Sequence, residues 1–321
     1  MIWLSWRQQR LEALITAAIL ALLAAAFVPA GMHLASVFAQ QHIAHCVGRD
    51  TPACQAAIMD FTGRTGFADG LLNSGWFNLI PGLIGVALAA PLLLDLEHGT
   101  IRLAWTQTVT RRRWLSTKLA LTLGTALLAA VAFSVLFTWY QRPLDRVYGR
   151  FDNFDFQGIV PLAYVLFALG LALAVGVLLR RTAPAIVVGF AVYVGARIFV
   201  QSWLRQRFVT PLSATWGPGS ETPKLFGPHA RDWILSELPS NRAGHPFTGN
   251  SLVLQSCSRN LGKGVKGLDP HCLARHGAGY THAVWQPASR FWEFQGIETA
   301  LFGGIALVLI AFSAWRVLRL D

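Results

Sequence analysis

Charge is what this chain has least of. Asp, Glu, Lys and Arg make up 13% of its 321 residues, about half the ~25% share of a soluble domain. So few ionised groups do not keep a chain of this length in water. With 54% hydrophobic residues and a mean hydropathy of +0.45, the composition reads as an integral membrane protein. Lysine is nearly missing, four against 23 arginines, a bias that a GC-rich bacterial genome produces. The net charge of +11 does not point to nucleic acid, because the arginines gather at the ends of apolar runs, where they act as topology signals. Histidine is absent from the interior of every apolar run; His33 comes nearest, at the outer end of the first. An intramembrane hydrolase needs a nucleophile and a base at bilayer depth, so the missing base argues against that class. No G-x-x-x-x-G-K-[ST] loop occurs either. Gly262-Lys263-Gly264 lacks the spacing and the strand–helix setting, so any ATP-driven work requires another polypeptide.

Six runs are long enough to cross the ~20-residue hydrocarbon layer. They are Leu11 to Leu34, Trp76 to Leu94, Leu119 to Tyr140, Gly158 to Leu179, Thr182 to Gln201 and Gly296 to Trp315. Before the first lies a short amphipathic segment, Met1 to Arg10, with Trp3 and Trp6 beside Arg7 and Arg10, suited to an interfacial helix. Val37-Phe38-Ala39 resembles a signal-peptidase site, but the run before it exceeds the 7 to 15 residues of a signal core. The fourth and fifth runs are joined by only Arg180 and Arg181, and Arg197 near the far end of the fifth is expected to snorkel.

Orientation follows from the short loops. With the N-terminus inside, the inner segments carry eleven basic residues (Arg7, Arg10, Arg102, Arg111, Arg112, Arg113, Lys118, Arg180, Arg181, Arg316, Arg319) and the two short outer loops five (Arg49, Arg64, Arg142, Arg146, Arg150). The positive-inside rule then places both termini in the cytoplasm of a multi-pass protein of a bacterial cell membrane. The four cysteines agree: Cys46 and Cys54 fall in the first outer loop, Cys257 and Cys272 in the last. Confinement to the oxidising side suggests two disulfides, Cys46–Cys54 and Cys257–Cys272 by proximity, although three connectivities are formally open.

The chain thus divides into a membrane part (1–201), an extracytoplasmic domain (202–295) and a last span with its tail (296–321). In the outer domain Ala230 to Leu238 reads as a short helix and Ser251 to Gln255 as a strand. His229, His245, His271, His276 and His282 collect there without metal-ligand spacing, so no metal is assigned.

The densest signal is the loop 95–118 between the second and third spans, within Pro91 to Lys118, PLLLDLEHGTIRLAWTQTVTRRRWLSTK. Its Glu97, Gly99 and Thr100, followed by the basic turn Thr108 to Arg113, resemble the ABC-2 type permease family. Three segments are similar to an actinobacterial subgroup of ABC transporter permeases: Trp6-Arg7-Gln8-Gln9-Arg10, Arg102-Leu103-Ala104-Trp105-Thr106-Gln107, and Gln286-Pro287-Ala288-Ser289-Arg290-Phe291-Trp292 continued by Phe294-Gln295 and Ile297-Glu298.

That resemblance implies an all-α polytopic membrane protein of ABC-2 exporter type, with six transmembrane helices, a cytoplasmic coupling helix and a small outer domain between helices 5 and 6. It further implies pairing with a second permease copy or a close relative, cytoplasmic ABC ATPase subunits that hold the ATP and Mg, no cofactor in this chain, and export of a hydrophobic or amphipathic compound such as a drug, antibiotic or lipid. Spans two and five are then expected to line the pathway.

On this reading Glu97, His98, Gly99, Thr100 and Arg102 meet or support contact with the ATPase, on a helix from about Leu94 to Trp105. Arg111, Arg112 and Arg113 anchor topology against anionic membrane lipid. Gln295 and Glu298 mark an outer gate, since a carboxylate inside a span faces protein or water. A different class remains open, a membrane sensor or resistance protein that binds a ligand through its outer domain without transport.

Overall fold

A computed structural model describes residues 2–49, 51–64, 70, 75–98, 110–217, 229–246, 256–260 and 266–319. Helices dominate: α1 (Ile2–Gln40), α2 (Pro52–Gly63), α3 (Ile80–Glu97), α4 (Arg111–Tyr148), α5 (Val160–Leu179), α6 (Thr182–Phe199), α7 (Pro270–Arg275) and α8 (Phe291–Leu318). Among the described residues six helical segments are long and apolar enough to cross a membrane, namely Arg10–Gln40, Phe77–Glu97, Arg111–Tyr148, Val160–Leu179, Thr182–Arg207 and Ala288–Leu318. These match the six runs read from the sequence. They alternate in direction, so the described residues of 41–76, 149–159 and 208–287 share one end of the bundle, and the start of α1, His98, Thr110, Arg180, Arg181 and the end of α8 share the other.

The bundle is organised around α5. Its sequence is apolar on every face, as a helix surrounded by other helices requires, and 72% of its most apolar stretch is buried, against 11% for α1. It packs chiefly on α8 and α3. In α3 Gly85 faces α5 so closely that a β-carbon there would lie 2.4 Å from the Val165 carbonyl oxygen. Small residues allow this approach where lipid supplies no hydrophobic force between helices. An aromatic layer of Phe27, Phe77, Phe133, Phe137 and Tyr140 joins α1 and α4 to this core, with ring centroids as close as 4.6 Å.

Two helices outrun the expected spans. Residues 2–10 are not a separate interfacial helix but the first turns of α1. α4 continues through Pro143 to Tyr148, so Arg142 and Arg146 sit on a helix and not in a loop. At about 1.5 Å per residue it is roughly 57 Å long, well beyond a ~30 Å hydrocarbon layer. The added turns are stabilised by packing that local sequence does not reveal: Leu144 and Val147 bury against Leu34, Val37 and Phe38 of α1 and Ile58 and Phe61 of α2. The Cys46–Cys54 disulfide ties the α1–α2 connection to α2.

The fifth span also runs on, through an i→i+5 turn at Val200–Leu204 and a short 3-10 turn to Arg207. The outer region then forms a three-stranded antiparallel sheet from β1 (Leu212–Trp216), β2 (Trp233–Ser240) and β5 (Tyr280–Gln286), ordered β1-β5-β2, and a two-stranded ribbon of β3 (Ser258–Asn260) and β4 (Lys266–Leu268). The helix expected at Ala230 to Leu238 is therefore a turn followed by strand β2. WILSELPS satisfies either geometry locally, and pairing with β5 about 45 residues later decides it, Trp233 opposite Gln286 and Ser240 opposite Tyr280. Pro239 is tolerated because β2 is an edge strand. The strand expected at 251–255 lies outside the described residues. Cys257 and Cys272 are bonded, as their proximity suggested.

Candidate functional site: a buried charge cluster and a stapled loop

Four charged side chains meet inside the disulfide-bearing end of the bundle. Asp155 comes from the turn between α4 and α5, Arg197 from α6, Arg205 from the 3-10 turn beyond it, and Glu298 from α8. None is more than 6% exposed, and Glu298 is fully buried. Arg205 forks onto Glu298, Nε to Oε2 at 2.8 Å and Nη2 to Oε1 at 2.9 Å, and Nη2 also donates to Asp155. Arg197 Nη1 donates to Asp155 at 3.3 Å and to Glu298 at 3.4 Å. The Tyr164 hydroxyl of α5 lies 2.5 Å from Glu298 and 3.0 Å from Asp155. Two positive and two negative groups sum to zero, the condition under which charges tolerate burial. Aromatic faces complete the shell, Arg197 over the Tyr164 ring at 3.6 Å and Arg205 over Phe154 at 4.3 Å. Burial alone would push the Asp155 carboxyl up, but the Arg197 and Arg205 guanidiniums hold it below the usual carboxylate range.

Arg197 thus does not snorkel. Asp155, Tyr164 and Arg205 escaped sequence reading altogether. Arg197 and Arg205 are eight positions apart, about 80° out of step on a regular helix of ~3.6 residues per turn. The Val200–Leu204 turn takes in the extra residue that restores the shared face, and such turns concentrate at functional positions. Gln295 lies one turn before Glu298 and is also fully buried. Its Oε1 accepts from the Ile159 and Val160 amides at 3.0 Å and its Nε2 donates to Phe154 at 3.1 Å, so α8 supplies the cap for the first turn of α5.

The motif ahead of α8 fixes the sheet to the membrane helices. The Gln286 amide donates to Val209 at 2.7 Å, and Arg290 donates to Thr210 at 2.8 Å and to Gln286 Oε1 at 2.7 Å. Trp233 of β2 stacks on Phe151 at 5.3 Å.

At the opposite end, the loop expected to carry the coupling helix leaves α3 and re-enters at α4. Gly99, Thr100 and Arg102 lie outside the described residues, as does the part of the helix expected from Leu94 to Trp105 that follows His98. The stems are described, and both are fastened. Lys118 of α4, 3% exposed, donates to Asp95 of α3. Glu97 Oε2 accepts from the Thr182 amide at 2.8 Å, capping α6 from another helix. His98 ends α3, exposed. Arg111, Arg112 and Arg113 form the exposed first turn of α4, a position where the helix dipole disfavours cations, so local helix stability does not account for the triplet.

The model of the ABC-2 membrane transporter related family matches residues 17–205, more than half of the chain, from within α1 to the arginine that forks onto Glu298. This chain belongs to that family. The membership makes it a transporter permease component with multiple membrane-spanning helices, and it places α1 from residue 17 onward, together with α2 to α6, within the family's shared part, while the sheet and α8 follow beyond the matched range. Comparisons with curated proteins and with solved structures find no match. The closed ion cluster of this ABC-2 protein therefore joins a family-shared part (Tyr164, Asp155, Arg197, Arg205) to a carboxylate contributed from beyond it.

Proposed function

We propose that the chain is the membrane-spanning subunit of an ATP-driven exporter of hydrophobic or amphipathic compounds. It works with cytoplasmic ABC ATPases, which hold ATP and Mg, and with a second permease copy or close relative. Both termini and the loop 98–110 face the cytoplasm, and the disulfides face outward, in keeping with the distribution of basic residues and cysteines.

The observation that carries the coupling role is the pair of fastenings at the loop stems. The Asp95–Lys118 pair makes α3 and α4 one unit where the loop departs, and the Glu97–Thr182 bond joins that unit to α6. A displacement of the loop by a motor subunit is passed to spans two, three and five together. At the other end of α6, Arg197 and Arg205 meet Glu298, so movement of α6 loads the outer cluster directly. In this reading Gln295 and Glu298 hold the outer end closed.

The test is ATP hydrolysis by the co-purified ATPase in proteoliposomes. Glu97→Ala is expected to abolish the stimulation of hydrolysis by a transported compound, while the protein still inserts and melts within a few degrees of wild type. Stimulation that survives intact removes Glu97 from the coupling route.

A further inference from the structure

We propose that a groove on the lipid-facing side of the bundle, between α1, α4 and the start of α8, is a specific site for an anionic phospholipid of the leaflet on the disulfide-bearing side. The inference does not depend on the transport reading. The groove has a volume of about 660 Å³ and an almost wholly apolar lining, with Val28, Ala132, Val135, Trp139 and Trp292 among its walls and Arg142 at one end. That size lies within the range of small-molecule sites.

Its walls are fixed before any ligand arrives. Gly158 has φ +69°, and a β-carbon there would sit 2.7 Å from Gln295 Oε1, so only glycine fits that turn. Ser134 donates to the Gly158 carbonyl and Thr138 accepts from the Gly158 amide at 3.2 Å. Ser134 and Thr138 are thereby engaged with the Gly158 turn, and the rest of the slot's lining is mostly apolar. Trp139 packs against α1 where Gly31 admits it, since a β-carbon at residue 31 would come within 2.6 Å of the ring.

Arg142 identifies the occupant. It follows the apolar run of α4 that ends at Tyr140 and so sits at headgroup depth, the layer that the indoles of Trp139 and Trp292 prefer. Arg142 is exposed and forms no ion pair with a carboxylate of the described residues. A cation at the mouth of an apolar slot complements a lipid with one acyl chain in the slot and a phosphate beside the guanidinium. A zwitterionic headgroup adds no net charge for the guanidinium to select. A second copy of the chain seated here would bury the guanidinium of Arg142 against apolar residues, at high cost unless it brought an acid.

The experiment uses the full chain in nanodiscs of phosphatidylcholine that contain, at equal mole fraction, either brominated phosphatidylglycerol or brominated phosphatidylcholine. Bromine on the acyl chain quenches nearby tryptophans, and a Trp139→Phe/Trp292→Phe variant defines the share of quenching that belongs to the groove. That share is expected to be about fivefold greater for the anionic lipid, the selectivity one basic side chain confers at a membrane surface. It should be lost in Arg142→Gln, kept in Arg142→Lys, and unchanged in Arg146→Gln, which removes an exposed charge at the same end. Ala132→Phe, which fills the slot and leaves the charge, should also abolish it and stands in if Arg142→Gln does not fold. Equal quenching by the two lipids means ordinary solvation and overturns the proposal. So does quenching by neither, the result if a second copy covers the groove, or selectivity that survives Arg142→Gln.

Discussion

Replacing Glu298 by glutamine changes the buried cluster by a single charge and almost no volume. In the wild type Glu298 accepts from Tyr164, from both arms of Arg205 and from Arg197. Glutamine keeps one acceptor oxygen and offers an amide that faces donors, so at least one guanidinium hydrogen loses its partner. The cluster passes from neutral to a net charge of +1 with no water to screen it. Removing one partner of a buried pair costs about 3–5 kcal/mol, and the retained volume and acceptor place Glu298→Gln near the lower end, about 3 kcal/mol. At roughly 2–4 °C per kcal/mol for a chain of this order of size, Tm falls by about 6–12 °C. Thermal unfolding of detergent-purified protein, followed by intrinsic fluorescence and size exclusion, gives the number. Arg205→Gln should cost a similar amount. The double variant restores neutrality through the remaining Asp155–Arg197 pair and should cost at least about 1 kcal/mol less than the sum. Strict additivity, or a Glu298→Gln protein that melts within about 2 °C of wild type, would refute the claim that these charges hold α5, α6 and α8 together.

Other expectations concern groups elsewhere on the chain. The Asp155 carboxyl is held below its ordinary range, so the stability it contributes is present above the unfolded value of about 4 and lost only as pH falls through the lower folded value. The Tm gap between wild type and Asp155→Asn should accordingly be constant from pH 7 to pH 5, and a gap that closes across that window contradicts the assignment. Reduction of Cys257–Cys272, which closes a loop with a sequence separation of 15, removes about 3 kcal/mol of constraint on the unfolded outer region. Limited proteolysis of Cys257→Ser/Cys272→Ser should then cut between β3 and α7 while the spans stay intact. Lys118→Met removes the buried cation that donates to Asp95 and should lower Tm by the equivalent of about 3 kcal/mol; a variant that melts within about 2 °C of wild type contradicts that reading.

The spans were legible because membrane crossing is a local demand, written in about twenty consecutive residues. The disulfides were legible because four cysteines fell in two short neighbourhoods on one side. The charge cluster was only half visible. Glu298 and Arg197 stood out as charges inside apolar runs, but Asp155 sits among phenylalanines in a short loop, and Arg205 follows what reads as the end of a span. The contacts among these four charges join positions 42 to 101 residues apart, and the turn that brings Arg205 onto the face of Arg197 leaves no periodic trace. Strand β2 was missed for the same reason, since its partner lies far along the chain. Glu97 was singled out for an outward role, and the bond it makes to Thr182 crosses 85 residues.

The central claim is that a separate ATPase engages the loop between α3 and α4 from the cytoplasm. A photoreactive amino acid placed at Thr108 and activated in intact cells tests it most directly. The account predicts a crosslinked product that contains an ABC ATPase subunit, formed in the cell and weakened in Glu97→Ala. Labelling of that position by an impermeant reagent added outside, with no ATPase crosslinked from within, would contradict it.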